Sequence, residues 1–248
     1  MKRIVFFTGA GMSKESGLPT FRGEGGMWNE LDVEKVASAR SWYCGRRKDC
    51  KEKRQTMLDF FNPLRRSILT HNPNKGHRII SELEKDYDVT IITQNGDDYH
   101  TRVGSSNVIY LHGEALKNTS SANPYNPLPI DSENPDIHIG DKAPDGSQIR
   151  PFVIYFDENI DKRLWQKALK ATKEADHFVV VGSSMLVFPA ADLIKRISPS
   201  CRLTVIDPGE ASLPEGCNHT FQHIRNVASK GLTILREQLY ESQNETHS

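Results

Sequence analysis

Four short runs of β-branched or apolar residues recur along the chain, and the stretches between them are long enough to form helices. The runs lie at residues 3–7, 88–92, 177–181 and 202–206. Strands that alternate with helical stretches indicate a parallel sheet with crossover helices. Further strand candidates lie at 108–111 and 152–156, and helical patterns lie at 190–197 and 226–240. We therefore predict an α/β fold with a Rossmann-like parallel sheet and helices on both faces.

Two segments do not follow this alternation. Residues 32–70 are highly charged, and residues 117–148 are rich in Pro, Asn, Asp and Gly, which favour turns and little regular structure. We predict that both belong to a smaller module beside the sheet, within one catalytic domain. The predicted boundaries are 1–31, 71–113 and 150–240 for the large part, 32–70 and 114–149 for the small module, and 241–248 for a polar tail.

The composition gives no sign of a membrane, nucleic-acid or disulfide-rich secreted protein. Lys plus Arg and Asp plus Glu both number 32, so no net charge attracts a polyanion. No run approaches the roughly 18 apolar residues of a membrane helix. The 4 cysteines, at positions 44, 50, 201 and 217, are too few and too scattered for a disulfide framework. We expect a soluble, cytoplasmic protein with reduced thiols and without nucleic-acid or membrane partners.

A glycine-rich stretch, residues 8–17, follows the first run at once. Gly9 and Gly11 allow a tight turn and a close approach of the backbone to a pyrophosphate, next to a helix N-terminus. Taken alone, such a motif is equally compatible with an ordinary tight turn. The next loop carries Phe21 and Arg22, whose guanidinium is suited to phosphate or ribose, although a surface loop packed on Phe21 explains the same residues.

Polar side chains follow the run at 88–92, at the sheet edge where ligands bind in open α/β folds. Gln94, Asn95 and Asp97 can hydrogen-bond ribose hydroxyls, an ordered water and a carboxamide. The alternative is a turn with a helix cap, for which Asn and Asp are common choices. These three residues are therefore candidates for a ligand site.

A histidine and a second glycine turn follow two of the other strand candidates. His112 comes directly after 108–111 and can act as a general base near neutral pH, with a structural histidine as the alternative. His100 lies in a presumed helix, where we expect it to be less well placed. The turn at 182–184 and the carboxylate of Asp207 are candidates for the second half of a dinucleotide.

Taken in chain order, these segments resemble the motifs of the sirtuin family, in a zinc-less, bacterial-type variant. The matching stretches read GAGMSKESGLPTFRG at 9–23, TQNGDDYH at 93–100, HG at 112–113, RPFVIYFDE at 150–158 and GSSMLVFPA at 182–190. Together they span nearly the whole chain. Ordered motifs of this kind are far more specific than a single glycine-rich match.

This resemblance implies an NAD-dependent protein-lysine deacylase that uses NAD as a co-substrate. The residues implied in NAD binding are Gly9, Ala10, Gly11, Ser13, Phe21, Arg22, Gln94, Asn95, Asp97, Gly182, Ser183, Ser184, Asp207 and Ala228. Those implied in binding the acylated peptide are Phe61, Leu64, Val153, Phe156 and Val187. His112 matches the catalytic histidine of the family, and Asn95 and Asp97 complete the implied catalytic set.

The implied reaction moves the acyl group of a lysine side chain to ADP-ribose. The amide oxygen of acyl-lysine attacks the anomeric carbon of the ribose while nicotinamide leaves, and His112 then assists the transfer as a base. Because an amide oxygen is a poor nucleophile, the site must align both reactants and exclude water. The implied partner is an acylated-lysine protein or peptide.

The chain departs from the family pattern at several positions. Many sirtuins carry two cysteine pairs for zinc between the HG and RP motifs, whereas residues 114–149 contain no cysteine, so we predict a zinc-free module and no metal site. Gly96 replaces a hydrophobic residue, which predicts a looser nicotinamide pocket. Asp157 replaces a glycine in the segment that pairs with the substrate peptide, and Tyr99 replaces a leucine.

The acyl preference is predicted from a further difference. Sirtuins that prefer acidic acyl groups resemble one another in a Tyr-x-x-Arg pair, which corresponds here to Phe61 and Leu64. A buried acyl carboxylate would lack its partners, so a neutral acyl group, acetyl or longer, is expected. Arg65 or Arg66 could replace the missing arginine if the helix register shifts at Pro63.

Two other functions are compatible with the same residues. An NAD glycohydrolase or mono-ADP-ribosyltransferase would use water or a protein side chain as the acceptor, and the changes at Gly96 and Asp157 keep this alternative open. A non-catalytic NAD-binding interaction protein is the second. The basic residues within 46–54 are compatible with nucleic-acid binding, but Asp49 and Glu52 interrupt them, as on a solvated helix face.

Overall fold

A parallel sheet of six strands forms the centre of the computed structural model, which describes residues 1–21, 26–27, 32–45 and 47–245. The strands are β1 (Arg3–Thr8), β2 (Asp88–Thr93), β3 (Val108–Tyr110), β7 (His177–Val181), β8 (Arg202–Ile206) and β9 (Gln222–Ile224). Their order is β3-β2-β1-β7-β8-β9, and every neighbouring pair is parallel. The predicted Rossmann-like sheet is confirmed, and its chain order reverses between β1 and β7.

Helices cover both faces of this sheet, as predicted. They are α5 (Lys75–Leu83), α7 (Lys162–Glu174), α8 (Ala228–Glu245) and a 3₁₀ helix (Ala190–Arg196). Side chains alternate along β1, so that Ile4 and Phe6 pack in a core with α5 and α8. Val5 and Phe7 pack on the opposite face, in a core with α7 and the 3₁₀ helix. All four are at most 2% exposed, so the strand is buried on both sides.

A smaller module with an antiparallel sheet, β5-β4-β6, stands beside the parallel sheet. Its elements are α2 (Val33–Ala37), α3 (Ala39–Trp42), α4 (Cys50–Thr70), β4 (Gly113–Ser120), β5 (Pro127–Leu128) and β6 (Ile149–Val153). Its core is aromatic, with the ring centroid of Tyr155 6.0 Å from that of Trp42 and 5.7 Å from that of Phe61. The predicted smaller module is therefore present, while its boundaries stay a prediction.

Side chains of α4 hydrogen-bond to β4 and to the loop that contains Ile137. Asn62 exchanges two hydrogen bonds of 3.0 Å with the backbone of Ile137. Arg65 is fully buried and donates to Asn118 Oδ1 at 2.8 Å and to the carbonyl oxygen of Lys117 at 3.4 Å. These bonds connect the helix to both the antiparallel sheet and the loop before β6, and they pair polar groups that are buried or partly buried.

Three local predictions differ from the structure. The strand predicted at 152–156 overlaps only the end of β6, which pairs antiparallel with β4 and ends at Val153. The backbone turns after Val153, where the Tyr155 amide donates to the Glu158 carboxylate at 2.7 Å. Half of β4 and all of β5 lie within the stretch 117–148, which was expected to be irregular. Helix α8 continues through 241–245, beyond its predicted end at residue 240, and β9 was not predicted.

The prediction of reduced thiols is wrong for one cysteine pair. Cys44 and Cys50 form a disulfide, whereas Cys201 and Cys217 are free. The turn between α3 and α4 brings the two Cα atoms to 5.4 Å, within the distance that a disulfide spans. That turn depends on how the two helices pack, so cysteine spacing alone did not reveal the pair.

None of the helices in the described part of the chain is long and apolar enough to cross a membrane. The longest, α4, carries seven buried side chains on one side and charged residues elsewhere along its length. It is an amphipathic helix that packs within the smaller module.

Candidate active site

A cleft of about 840 Å³ opens at the carboxyl ends of β1, β2, β7 and β8, where the strand order reverses. Open α/β sheets bind their ligands at this point. The residues proposed for NAD that line it are Gly9, Ala10, Gly11, Phe21, Gln94, Asn95, Gly182, Ser183, Ser184, Asp207 and Ala228. The cleft is also lined by His112 and by all of the residues proposed for the peptide, Phe61, Leu64, Val153, Phe156 and Val187.

Two predicted site residues lie outside the lining of the main cleft. Ser13 and Asp97 line a side cavity of about 30 Å³, which shares Ala10, Phe21 and Asn95 with the main cleft. Arg22 lies outside the described residues. The structure thus brings together strand ends that are far apart in sequence and places Ser13 and Asp97 behind them.

Two glycine turns form the floor of the cleft. The Gly9 amide donates to the carbonyl of Val181 at 3.0 Å, and the Gly11 amide donates to the carbonyl of Gly182 at 2.9 Å. Gly182 has φ +57°, and a Cβ there would lie 2.5 Å from Met12 N. The close approach of the two backbones requires glycine, and it leaves the room that a pyrophosphate needs.

Asn95 and Asp97 are held from behind by Ser13. Asn95 Nδ2 donates to the carbonyl of Gly9 at 3.0 Å and to Ser13 Oγ at 3.2 Å, and Ser13 Oγ donates to Asp97 Oδ2 at 2.8 Å. Burial raises the pKa of Asp97 to about 6, although hydrogen bonds from Ser13 and from the Tyr99 amide act in the opposite direction. This network fixes the Asn95 amide at the boundary between the cleft and the side cavity.

His112 has the tautomer that a general base needs. Its Nδ1 lies 3.3 Å from the backbone oxygen of Gln94, which can only accept, so the neutral ring carries its proton at Nδ1 and its lone pair at Nε2. Burial lowers the pKa of His112, and the hydrogen bond to Gln94 partly opposes that shift. The imidazole is therefore neutral near pH 7 and able to accept a proton.

Gln94 offers a donor that has no partner in the described residues. Its Oε1 accepts from Ser183 Oγ at 2.8 Å, which joins the ends of β2 and β7, while its Nε2 is buried and unpaired. Buried polar groups are normally paired, so an unpaired donor in a cleft wall favours a ligand that accepts a hydrogen bond. Dinucleotide hydroxyls and phosphates provide such acceptors.

His100 stands behind the sheet edge and not in the lining of the cleft. It is 1% exposed, and its Nε2 lies 3.2 Å from Thr8 Oγ1. Burial lowers the pKa of His100 to about 3, so the ring is neutral throughout the physiological range. It supports the end of β1 from within the core.

The buried histidines predict that the fold loses stability in acid. Burial lowers the pKa of His100 to about 3, of His177 to about 4 and of His77 well below its usual value. The same histidines take up protons near pH 6.5 in the unfolded chain. The free energy of unfolding therefore keeps the full contribution of the neutral histidines above that pH and falls as the pH drops. Asp97, with its raised pKa, acts in the opposite direction between about pH 4 and pH 6, but as a single group.

We expect the free energy of unfolding to fall by roughly a few kcal/mol between pH 7 and pH 5. Urea denaturation at a series of pH values measures it. A midpoint that stays constant or rises on acidification would contradict the assignment of three neutral, buried histidines.

Gly96 does not leave the gap that the sequence suggested. A Cβ at Gly96 would lie 3.3 Å from the Cβ of Ala115, and the Ala115 amide donates to the carbonyl of Gly96 at 2.8 Å. The first residues of β4 therefore occupy the space of the missing side chain.

Asp157 has a backbone conformation that suits glycine. Its φ is +70°, and its carboxylate accepts from Arg40 Nε at 3.0 Å on an exposed surface. A left-handed conformation costs a residue with a Cβ about 1 kcal/mol or more, and an exposed ion pair contributes little.

Replacing Asp157 with glycine should raise the free energy of unfolding by about 0.5–1 kcal/mol, because the strain relieved exceeds the entropy that glycine adds to the unfolded chain. Chemical denaturation measures the change. Arg40→Ala is the matched control, since it removes the ion pair without changing φ, and we expect it to have almost no effect. If Asp157→Gly lowers the free energy of unfolding more than Arg40→Ala does, the backbone at Asp157 is not strained.

The part of the cleft wall that the sequence analysis assigned to the acyl group is apolar. Phe61 and Leu64 of α4 face the cleft together with Phe60 and Ala37. Among the described residues, Arg65 is turned toward β4, where it donates to Asn118, and Arg66 is paired with Asp136. The arginine that a register shift would have supplied is therefore absent from this wall.

Several lining residues escaped the sequence analysis. They are Lys14, Glu15, Thr20, Ala37, Phe60, Ala115, Ile154, Tyr155, Ile160 and the segment 208–212. Glu15 accepts from the amide and hydroxyl of Ser229, at 2.8 Å and 2.6 Å, and so joins α1 (Gly11–Lys14) to α8 near the cleft. Residues 150–158 do carry a motif signal that could have indicated Ile154 and Tyr155. Ala37 reaches the cleft by long-range packing and has no local signal.

Within the described ranges, no group of three or more His, Cys, Asp or Glu side chains is placed to hold a metal ion. Cys44 and Cys50 are joined to each other, and Cys201 lies in the core beneath the parallel sheet. No side chain of the cleft is therefore assigned to a metal.

A family model described as "Sir2 family" matches residues 9–189. An NAD-dependent protein deacylase of Bacteroides thetaiotaomicron is 40% identical over 245 residues, covering 96% of this chain and 98% of that protein. An NAD-dependent protein deacylase of Helicobacter pylori is 40% identical over 217 residues, with 87% of each chain covered. Similarity to these relatives thus extends well beyond the cleft.

Solved structures give the same result for the fold. A mutant Sir2 homologue in complex with ADP-ribose superposes with a TM-score of 0.84 at 28% identity, covering 98% of this chain and 94% of the other. A Sir2 homologue in complex with NAD gives a TM-score of 0.80 at 29% identity, covering 97% and 90%. Both similarities include the parallel sheet and the smaller module.

Proposed function

The chain belongs to the Sir2 family, and on that premise we propose that it is an NAD-dependent protein-lysine deacylase that transfers a neutral acyl group to ADP-ribose and releases nicotinamide. One observation carries the proposal: His112, with its lone pair at Nε2, lines the same cleft as Asn95 and the two glycine turns. A base, an amide and a phosphate-sized turn in one cleft suit chemistry at a glycosidic bond.

The residues of the cleft fit NAD. The turns at Gly9 and Gly182 suit the pyrophosphate, Asp207 at the end of β8 suits a ribose hydroxyl, and the unpaired Nε2 of Gln94 suits a further acceptor. Bound NAD supplies an electrophilic anomeric carbon from which nicotinamide can leave. The protein's part is to orient that carbon and to keep water from it.

Each polar side chain then has a separate task. Asn95, tied to Gly9 and Ser13, orients groups at the entrance of the side cavity where we place nicotinamide. Asp97 holds Ser13 and thereby Asn95. His112 accepts a proton from a ribose hydroxyl at Nε2, because Nδ1 is already bonded to Gln94. The carboxamide and hydroxyl groups of a dinucleotide match this set of donors and acceptors.

The apolar wall supports a neutral acyl group. Phe61 and Leu64 offer no donor to an acyl carboxylate, and burying a charge without a partner costs more than burying a methyl or methylene chain gains. The acidic acyl groups are therefore expected to be poor substrates. Acetyl and longer apolar acyl groups fit the same wall.

Installing the missing pair should create activity on a succinylated peptide. In the double variant Phe61→Tyr, Leu64→Arg, charge-assisted hydrogen bonds to the acyl carboxylate should raise the succinyl-to-acetyl ratio of kcat/KM at least about tenfold. Leu64→Met is the matched control, because it keeps the wall apolar, and it should leave the ratio unchanged. A folded double variant with the original ratio would show that the acyl group does not contact these two positions.

Mass spectrometry of the products, with and without acylated peptide, tests the function itself. Deacylation predicts O-acyl-ADP-ribose, free lysine peptide and nicotinamide in equal amounts, and only when the acylated peptide is present. ADP-ribose formed without peptide would favour an NAD glycohydrolase, and a peptide that gains mass would favour a mono-ADP-ribosyltransferase. If no NAD is consumed with or without peptide, the result would favour a non-catalytic NAD-binding protein.

We further propose that the enzyme is zinc-free and cytoplasmic and that it acts on acylated-lysine proteins, without nucleic-acid or membrane partners. The absence of cysteine from 114–149 and the hydrogen bonds that Arg65 and Asn62 make to this segment support the zinc-free module. Stoichiometric zinc in protein washed with a chelator would contradict it.

A further inference from the structure

We propose that the disulfide between Cys44 and Cys50 controls how tightly the enzyme binds its acylated peptide. It does so by fixing Tyr43, the neighbouring residue that orients Arg150 beneath the peptide side of the cleft. The inference rests on the proposed function, and it assigns Tyr43 and Arg150 as positioning residues and not as catalytic ones.

The first link joins Arg150 to the wall of the cleft. Its side chain is fully buried and donates to both carboxylate oxygens of Glu158, at 2.5 Å and 2.8 Å, and to the carbonyl of Val153 at 2.6 Å. Glu158 in turn accepts from the Tyr155 amide at 2.7 Å. Residues 153–158 all line the cleft, so this bidentate pair fixes both ends of the wall that faces the peptide.

The second link joins Arg150 to the rim of the smaller module. The Tyr43 hydroxyl accepts from Arg150 Nη1 at 2.8 Å and donates to the carbonyl of Ser121 at 3.0 Å. The Arg150 Cζ also lies 5.7 Å from the centre of the Tyr43 ring. Arg150 is thus held on one side by Glu158 and on the other by Tyr43.

The third link is the disulfide itself. Cys44 directly follows Tyr43 at the end of α3, and Cys50 is the first residue of α4. The backbone of α3 is otherwise tied to α4 here by Arg54 Nε, which donates to the carbonyl of Trp42 at 2.8 Å. Breaking the disulfide therefore releases the C-terminal side of Tyr43, while the N-terminal side stays anchored.

The redox step needs only a thiol reductant. A dithiol such as dithiothreitol supplies two electrons, its own sulfurs become a cyclic disulfide, and the sulfurs of Cys44 and Cys50 leave as two protonated thiols. Disulfides in cytoplasmic proteins are commonly transient and redox-sensing. The oxidised enzyme is the form with an ordered Tyr43, and so the form with the tighter peptide site.

The test compares the oxidised protein, the protein reduced with dithiothreitol, the double variant Cys44→Ser, Cys50→Ser, and the single variant Tyr43→Phe. Anisotropy of a labelled acetyl-lysine peptide measures peptide affinity, and calorimetry measures NAD affinity. We expect the last three forms to bind the peptide about 3-fold to 10-fold more weakly, the range of one lost hydrogen bond, with NAD affinity unchanged. The effect should fall on KM for the peptide and not on kcat.

Controls separate this effect from general damage. Cys217→Ser, a change at a free thiol, should behave as the unmodified protein, and the reductant should not alter the double serine variant further. Tyr43→Phe keeps the disulfide, so it reports on the link even if reduction loosens the module. Thermal melting shows whether each form is folded.

Several results would overturn the inference. The first is four free thiols after exposure to oxidant, and the second is equal peptide affinity in all forms. The third is weaker peptide binding in the double serine variant with no effect of Tyr43→Phe. These differ from failure of the proposed function, which would appear as no peptide binding and no deacylation in any form and would remove both proposals.

Discussion

Replacing His112 with alanine is expected to lower acyl transfer from an acylated peptide by about 100-fold to 10,000-fold, the contribution of a general base. The imidazole lines the same cleft as Asn95 and the glycine turns, and its lone pair is at Nε2 because Nδ1 is bonded to the backbone oxygen of Gln94. Since His112 does not hold the backbone of either turn, NAD should still bind. The measurement is kcat/KM for the peptide, with NAD affinity determined separately by calorimetry.

The pH dependence gives a second readout of the same residue. A base works only when neutral, so activity should be flat around pH 7 and should decline as the pH falls through the pKa of His112, which burial places below its usual value of about 6.5. His219→Ala is the matched control, because that histidine lies outside the residues that line the cleft. Full activity of His112→Ala, or a decline that begins well above pH 7, would assign the base elsewhere.

The sequence predicted the parallel sheet and the two glycine turns because both depend on local pattern. A strand buried on both faces must be apolar over its whole length, and a backbone that comes within van der Waals contact of another must lack Cβ. Gly9 and Gly182 therefore stand out from the amino-acid pattern alone. Their meeting at the point where the strand order reverses follows from the parallel topology.

Features that depend on packing between distant segments could not be predicted in this way. Ser13 was expected in the wall of the NAD site but stands behind it, because Asp97 takes its hydroxyl. Gly96 suggested a gap, yet Ala115 approaches from a strand whose position the sequence did not reveal. In both cases the side chain was identified, and the neighbour that decides its role was not.

The turn between α3 and α4 is the clearest example. Cysteine spacing indicated reduced thiols, while the turn between the two helices brings the Cα atoms of Cys44 and Cys50 to 5.4 Å, within the reach of a disulfide. The same turn places Tyr43 against Arg150, which comes from the other side of the module. The way in which two helices pack is set by their whole interface, so no short motif encodes it.

Gly182→Ala is expected to have the largest effect on stability and to abolish NAD binding. A Cβ at this position would lie 2.5 Å from both Gly11 C and Met12 N, and backbone atoms cannot rotate away as a side chain can. Either the end of β7 or the turn after β1 must move, and both carry the proposed pyrophosphate site. We expect the free energy of unfolding to fall by about 2–4 kcal/mol, as for other substitutions that force a backbone apart.

Gly146→Ala separates the two causes of this loss. Gly146 also has a left-handed conformation, with φ +80°, but a Cβ there meets nothing within 4 Å. The free energy of unfolding of Gly146→Ala should therefore fall only by the conformational cost of about 1 kcal/mol, and the variant should keep full NAD affinity. Urea denaturation and calorimetry on both variants distinguish steric conflict from backbone strain. Equal losses in the two proteins, or NAD affinity retained in Gly182→Ala, would show that the glycine turns are not pressed together where the dinucleotide binds.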